Sequence, residues 1–210
     1  MLAITNRWNS QKAQFKDMDA LGLFVNNHDN PRFLSKNPDW RLFKSAIAFG
    51  LTARGIPFFY YGDEQGFNGG PDPNNREPMW GHFDRNHELF KFVQTIQLAK
   101  KAASSQTQPF QERYVDDNFY CYTRGKFFVG LTNRVGSSMS LNVPNVGYPE
   151  NTVLCNIFNS ADCVTIHGNT LPLVLNNGEV KIYVSKSSSF FKTAHTAGQH
   201  LKSLFVPESN

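Results

Sequence analysis

The segment Phe24-Val25-Asn26-Asn27-His28-Asp29-Asn30-Pro31-Arg32-Phe33 contains the residues of this sequence best suited to chemistry. His28 and Asp29 are adjacent in a polar turn that ends an apolar run. Such a pair is suited to binding a polar ligand, since an imidazole can donate or accept hydrogen bonds beside an anionic acceptor. A second polar loop contains Asp72 and Arg76, and the planar fork of arginine suits a bidentate partner. We expect the two loops to contribute to one site.

The residues around these loops predict two consecutive strand–loop–helix units. Residues 21–25 form a continuous apolar run, typical of a strand buried on both faces. Residues 39–54 have apolar side chains at helical spacing, with Asn37 as the predicted N-cap and Pro38 at the first helical position. The same order follows in the apolar run 56–61, the polar loop 62–83 and the helical pattern 84–103. Two such units predict a parallel α/β sheet with its site in the loops after the strands.

Both loop sequences resemble one family. FVNNHDNPRF resembles the last signature region of the α-amylase family of glycoside hydrolases, and GIPFFYYGDEQGFNGGPDPNNREPMW resembles the strand-eight and loop-eight segment of its fungal-type members. The resemblance covers roughly residues 15–185 and implies an α/β part followed by an all-β part. Residues 1–104 would be the last two β/α units of a (β/α)₈ TIM barrel, and 105–185 an antiparallel β-sandwich C-terminal domain. We expect residues 186–210 to form a flexible tail.

The resemblance also implies roles for the four site residues. Retaining enzymes of this kind cleave through an oxocarbenium-like transition state with a nucleophile and an acid/base. By resemblance, Asp29 is a third carboxylate that stabilises the transition state and His28 donates a hydrogen bond to the same sugar. Asp72 and Arg76 match a carboxylate–guanidinium pair lining the donor side of the cleft. The neighbouring acidic pair Asp63 and Glu64 is interpreted as part of the loop structure rather than of the chemistry.

Three other features of the family pattern are absent from the residues before position 21. These are the nucleophilic Asp in a G-x-R-x-D segment, the acid/base Glu and the calcium ligands. We therefore expect the chain to be the C-terminal portion of an α-amylase, inactive alone, whose intact enzyme binds Ca²⁺, is secreted and hydrolyses α-1,4-glucosidic bonds of starch or glycogen with retention. The oxygen-rich cluster 116–118 lacks a twelve-residue calcium-loop pattern and is interpreted as a turn. No Cys or His spacing in the sequence matches a zinc site.

After about residue 106 the pattern changes to short strands separated by Gly, Asn, Pro and Ser. Seven strands are predicted, with hairpin turns at 124–125 and 176–178. Phe119, Tyr120 and Tyr122 could form a sugar-binding platform, but their alternation favours core packing. Cys155 and Cys163 could form a disulfide across a turn or remain two reduced thiols, and Cys121 is predicted to be a buried free thiol.

The composition is that of an ordinary packed chain, with 40% hydrophobic and 18% charged residues. No stretch approaches a membrane span, and the formal net charge of +4 comes from dispersed lysines and arginines, so neither a membrane nor a nucleic-acid partner is expected. The expected partner is an α-glucan such as starch, glycogen or a maltooligosaccharide.

Two alternatives to the α-amylase interpretation stay open. One is another enzyme of the same family, such as an α-glucosidase or a cyclodextrin-acting relative. The other is a non-catalytic, α-glucan-binding or vestigial product.

Overall fold

The structure is a computed structural model that describes residues 1–103 and 108–196. Its first part is α-helical with a small parallel sheet, and its second part is almost entirely β. The elements of the first part are α1 (Leu2–Gln14), β1 (Gly22–Leu23), α2 (Phe33–Lys36), α3 (Trp40–Thr52), β2 (Ile56–Pro57) and α4 (Glu88–Ala103). Short 3₁₀ turns lie at Met18–Ala20 and Asp63–Gln65.

Strands β1 and β2 are parallel, with Gly22 opposite Ile56 and Leu23 opposite Pro57. The predicted order of strand, loop and helix is therefore present in both units, but each strand is only two residues long. Both polar loops leave the carboxyl ends of these strands. The two parallel strands thus bring the loops to the same edge of the sheet.

The N-cap of helix α3 lies two residues later than predicted. Its N-cap is Asp39, whose Oδ1 accepts the backbone N–H groups of Arg41 and Leu42 at 2.9 and 3.3 Å. The prediction of Asn37 as the N-cap was wrong, because Asn37 accepts only the N–H of Asp39 at 3.1 Å, before the helix starts. The cap still uses a short polar side chain to satisfy donors that the first turn leaves free.

Helix α1 was not predicted, because its sequence has no apolar stripe. It packs on the core through Ile4 and Trp8, and the Trp8 ring lies 6.1 Å from that of Phe49 on α3 and 6.4 Å from that of Phe110. Helix α5, by contrast, lies where a flexible tail was expected, and its Phe190 is buried. Residues 197–210 of that expected tail lie outside the described residues.

The β part consists of two packed antiparallel sheets. One sheet has six strands in the order β3-β4-β5-β10-β7-β8, and the other pairs β6 with β9. Their bounds, with the last helix, are β3 (Phe110–Val115), β4 (Phe119–Arg124), β5 (Phe127–Thr132), β6 (Ser138–Val143), β7 (Val153–Asn156), β8 (Asn159–Thr165), β9 (Leu171–Asn176), β10 (Lys181–Ser185) and α5 (Ser189–Thr196). The seven predicted strands are present, and β3 is an eighth that the sequence analysis missed.

One predicted hairpin is wrong. Asn177 and Gly178 have positive φ as a tight turn requires, but β9 and β10 belong to different sheets. The turn at 176–178 is thus a crossover between the sheets. The turn at 124–125 does join two paired strands, β4 and β5.

The two layers enclose a core of alternating apolar side chains. On β9, Leu171, Leu173 and Leu175 are buried while the residues between them are exposed. Aromatic residues 119, 120 and 122 of β4 are buried, which confirms core packing over a sugar platform. The reverse face of the six-stranded sheet packs on α3 and α4, so the α/β part and the β part share one hydrophobic cluster.

Cys155 and Cys163 face each other across β7 and β8 and form a disulfide. Cys121 is a buried free cysteine, as predicted. No helix within the described residues is long and apolar enough to cross a membrane.

Candidate functional site

The turn after β1 presents His28 and Asp29 to solvent. Their side chains are 63% and 68% exposed, and the imidazole Nε2 lies 3.3 Å from the Asp29 Oδ1. Asn27 shapes this turn, because its Oδ1 accepts the backbone N–H groups of Asp29 and Asn30 at 3.1 and 3.0 Å. An Asn side chain that accepts from amides two and three residues ahead is a common means of closing a turn. The two candidate side chains are thus accessible on a well-defined backbone.

The loop after β2 brings Asp72 and Arg76 to the same surface. Arg76 Nε lies 2.8 Å from Asp72 Oδ1, and both side chains are about half exposed. Arg76 also donates from Nη2 to the backbone oxygen of His28 at 3.3 Å. The structure therefore brings the four residues selected from the sequence together, and one of them, Arg76, makes a direct hydrogen bond between the two loops.

Beneath this surface lies a fully buried guanidinium, that of Arg32. It donates from Nε to Glu77 Oε2 at 2.7 Å, and from Nη1 to Asp63 Oδ1 at 3.0 Å and to the backbone oxygen of Tyr61 at 2.9 Å. The guanidinium carbon also lies 4.4 Å from the centre of the Tyr60 ring. Arg32 belongs to the loop after β1 and its partners belong to the loop after β2, so this cluster ties the loops together from below.

Asp63 is 1% exposed and cannot reach a substrate. Burial raises the pKa of Asp63 to about 7, although hydrogen bonds from Asn26 and Arg32 act in the opposite direction. Asn26 donates from Nδ2 to Asp63 Oδ1 at 2.7 Å and accepts the backbone N–H of Phe33 at the same distance. The interpretation of Asp63 as part of the loop structure agrees with these contacts.

A third inter-loop contact comes from Asn75, which is completely buried. Its Nδ2 donates to the backbone oxygens of His28 and Asn30 at 2.8 and 2.9 Å. The phenol of Tyr60 in turn donates to the backbone oxygen of Asn75 at 3.3 Å. The sequence analysis did not select the polar side chains of Asn26, Arg32, Asn75 and Glu77. No local pattern separates a buried Asn or Arg from an exposed one, and their partners lie 7 to 47 positions away along the chain.

The described residues do not fit a calcium site. Among them, no group of three or more His, Cys, Asp or Glu side chains could hold a metal ion. In the acidic turn 116–118, Asp116 already accepts the N–H groups of Asn118 and Phe119 at 2.6 and 2.7 Å and the phenol of Tyr114 at 3.0 Å. The oxygens of Asp116 therefore stabilise a turn.

Comparisons with a family model, with related sequences and with solved structures all indicate the same family. The sequence model of the family described as "Alpha amylase, catalytic domain" matches residues 1–119. The α-amylase of Saccharomycopsis fibuligera is 33% identical over 190 residues, which are 86% of this chain and 38% of that protein. The β/α-amylase of Paenibacillus polymyxa is also 33% identical, over 87% of this chain and 16% of its own length. The chain thus spans well under half of these relatives.

The structure of an α-amylase from Malbranchea cinnamomea superimposes with a TM-score of 0.83 at 28% sequence identity, covering 88% of this chain and 41% of that one. The match of the family model to residues 1–119 and the 33% identity to the Saccharomycopsis fibuligera enzyme define the class of the protein as that of the glycoside hydrolases. The chain belongs to the α-amylase family.

Proposed function

We propose that this chain is the C-terminal portion of an α-amylase that hydrolyses internal α-1,4-glucosidic bonds of starch or glycogen with retention. Its α/β part supplies the last two units of a (β/α)₈ barrel, and its β part is the C-terminal sandwich domain. The observation that supports this most is the meeting of His28, Asp29, Asp72 and Arg76 on one exposed surface after two parallel strands.

In this proposal Asp29 contacts the ring hydroxyls of the sugar that undergoes attack. Its negative charge stabilises the oxocarbenium-like transition state and helps to hold the ring distorted. His28 donates a hydrogen bond to the same sugar, and the Asp72–Arg76 pair binds the next sugars on the donor side. The nucleophile and the acid/base come from a part of the enzyme outside these 210 residues, so the chain by itself is catalytically incomplete.

The disulfide of Cys155 and Cys163 favours an oxidising compartment, and we propose that the enzyme is extracellular. For calcium, we propose only that the intact enzyme binds it through residues upstream of this chain.

The first test is the size and activity of the native protein. An antibody raised to residues 105–185 should detect a protein well above 23.8 kDa, the mass of this chain. That protein, once purified, should release oligosaccharides from starch with the α-anomer formed first, as read by NMR. A native product of 23.8 kDa without hydrolytic activity would exclude the α-amylase proposal.

A non-catalytic glucan-binding role is favoured by one observation, the exposure of all four site residues in this chain itself. Calorimetric titration of residues 1–210 with maltoheptaose separates the two functions. Binding that His28→Ala and Arg76→Ala each abolish, in a native product without hydrolysis, would establish the binding role.

A further inference from the structure

Asn75 reaches out of its own loop to hold the backbone on both sides of Asp29. The NH₂ group of an Asn side chain has two donors, and here both are used on the other loop, for the backbone oxygens of His28 and Asn30. The His28 carbonyl belongs to the peptide unit that precedes Asp29, and the Asn30 carbonyl belongs to the peptide unit that follows Asn30. Fixing them fixes the direction in which the Asp29 and His28 side chains leave the turn.

The opposite side of the same turn is held locally. Asn27 accepts the N–H groups of Asp29 and Asn30, and also the side-chain amide of Asn30 at 3.0 Å. Asn27 defines the shape of the turn but belongs to it, so it cannot fix where the turn lies. Asn75 comes from the loop that contains Asp72 and Arg76, and it is completely buried while His28 and Asp29 are exposed.

We infer that Asn75 is a positioning residue, which sets the turn containing His28 and Asp29 relative to the Asp72–Arg76 pair. The inference rests on the proposed function, because the role of Asn75 is defined by that of Asp29. Asn75 touches no substrate in this role. Its effect is greatest in the transition state, since a displacement of about 1 Å in a catalytic group can lower the rate by about 10²-fold.

The geometry offers an isosteric variant. In Asn75→Asp the amide nitrogen becomes an oxygen, so two donors to carbonyls are replaced by an acceptor that both carbonyls repel. The volume of the side chain is retained and no cavity forms. The matched control is Asn74→Asp, which makes the same chemical change at the exposed neighbouring position. Asn75→Ala is the second variant, because it removes the donors without introducing a buried charge.

The experiment measures kcat and KM for maltoheptaose in the intact enzyme, with hydrogen exchange of the Asp29 and Asn30 amides. For Asn75→Asp and Asn75→Ala, we expect kcat to fall by about tenfold to a hundredfold, KM to change by less than about threefold, and the two amides to exchange faster. Asn74→Asp should match wild type in all three readouts. If Asn75→Asp fails to fold, Asn75→Ala decides the question on the same readouts.

The outcomes separate the two hypotheses. A wild-type enzyme that does not cleave α-glucans would overturn the proposed function and this inference with it. An active wild type whose Asn75 variants retain kcat per folded molecule, even with a lower melting temperature, would overturn the positioning role alone. A loss confined to KM would also overturn it, since it would make Asn75 a determinant of ground-state binding.

Discussion

Replacing Arg32 by Met should be among the most destabilising single changes in the α/β part of this chain. The substitution retains much of the side-chain length but removes the charge that compensates two carboxylates. Asp63 is 2% exposed in its side chain and Glu77 is 24% exposed, so neither regains full hydration when the guanidinium is lost. Removing one partner of a buried ion pair costs about 3–5 kcal/mol.

The chain contains a matched control in Arg41, which pairs with Asp39. That pair is exposed by comparison, with 47% and 19% of the two side chains accessible. The pKa of Asp39 is lowered to about 2, mainly by the hydrogen bond from Arg41. Exposed pairs of this kind contribute only about 0–1 kcal/mol. Arg41→Met should therefore change the free energy of unfolding far less than Arg32→Met.

The assay is denaturant unfolding of the intact enzyme, followed by tryptophan fluorescence. At pH 8, above the pKa of about 7 of Asp63, Arg32→Met should lower the free energy of unfolding by about 3–5 kcal/mol, equivalent to roughly 6–20 °C in melting temperature. Similar losses for Arg32→Met and Arg41→Met, both below about 1 kcal/mol, would refute the argument that burial makes Arg32 essential.

The loss of unfolding free energy in Arg32→Met should also depend on pH, and the direction of this dependence follows from the pKa of Asp63. Burial raises the folded-state pKa of Asp63 to about 7, so the folded protein retains this proton at a pH where the unfolded chain has released it. The folded state then binds more protons, and the Asp63 contribution to stability decreases as the pH rises from about 4 to 7. Without Arg32 the folded-state pKa rises further, because the guanidinium is one of the groups that lower it. The difference between wild type and Arg32→Met should therefore be larger at pH 8 than at pH 6. Asp63→Asn should remove this pH dependence.

Three further predictions concern other parts of the chain. In the intact enzyme, Asp29→Asn should lower kcat by orders of magnitude, because it removes a charge that acts mainly in the transition state, and His28→Ala should lower it less; near-normal turnover of Asp29→Asn on maltoheptaose would show that the site is misassigned. Replacing Cys155 and Cys163 by Ser should lower the free energy of unfolding by about 2.5 kcal/mol, the entropic effect of a crosslink that joins residues 8 positions apart, and dithiothreitol should then have no further effect on urea unfolding. Residues 1–210 expressed alone should self-associate at micromolar concentration, because β1 and β2 pair only with each other in the described chain and Phe24, Ile56 and Phe58 are half exposed or more; light scattering of a stable monomer would contradict this.

The sequence allowed the element order of the α/β part to be predicted, but not the extent of its strands. The apolar runs 21–25 and 56–61 are five and six residues long, whereas each strand has only two. Hydrophobicity reports which residues avoid water, while the length of a strand depends on the neighbours that pair with it. Pro57 also lacks the N–H that would extend the ladder.

Helix α1 and the crossover after β9 could not be predicted for related reasons. The stability of α1 comes from tertiary contacts such as that of Trp8 with Phe49, which local propensity does not report. The turn at 176–178 has the residues of a hairpin turn. Whether its strands pair with each other or enter different sheets depends on the packing of the whole β part.

The site residues also divide into those that the sequence identified and those that it did not. His28, Asp29, Asp72 and Arg76 could be selected because they lie in two recognisable loop sequences. Arg32 lies in the first of these sequences and was passed over, because its role depends on Asp63 and Glu77, 31 and 45 positions away. The sequence therefore identified the side chains that face solvent and missed those that hold them.

The short sheet explains why those buried side chains are needed. Between β1 and β2 the ladder contributes bonds such as those from the N–H groups of Ile56 and Phe58 to Leu21 and Leu23, each 2.8 Å long. These bonds fix the start of each loop, but Asp29 lies six positions beyond Leu23. Its location must be set by contacts between the loops themselves, and the buried ones include those of Arg32, Asn75 and Asn26. Substitutions on the buried side of the loops should accordingly alter turnover while leaving every residue that touches the substrate unchanged.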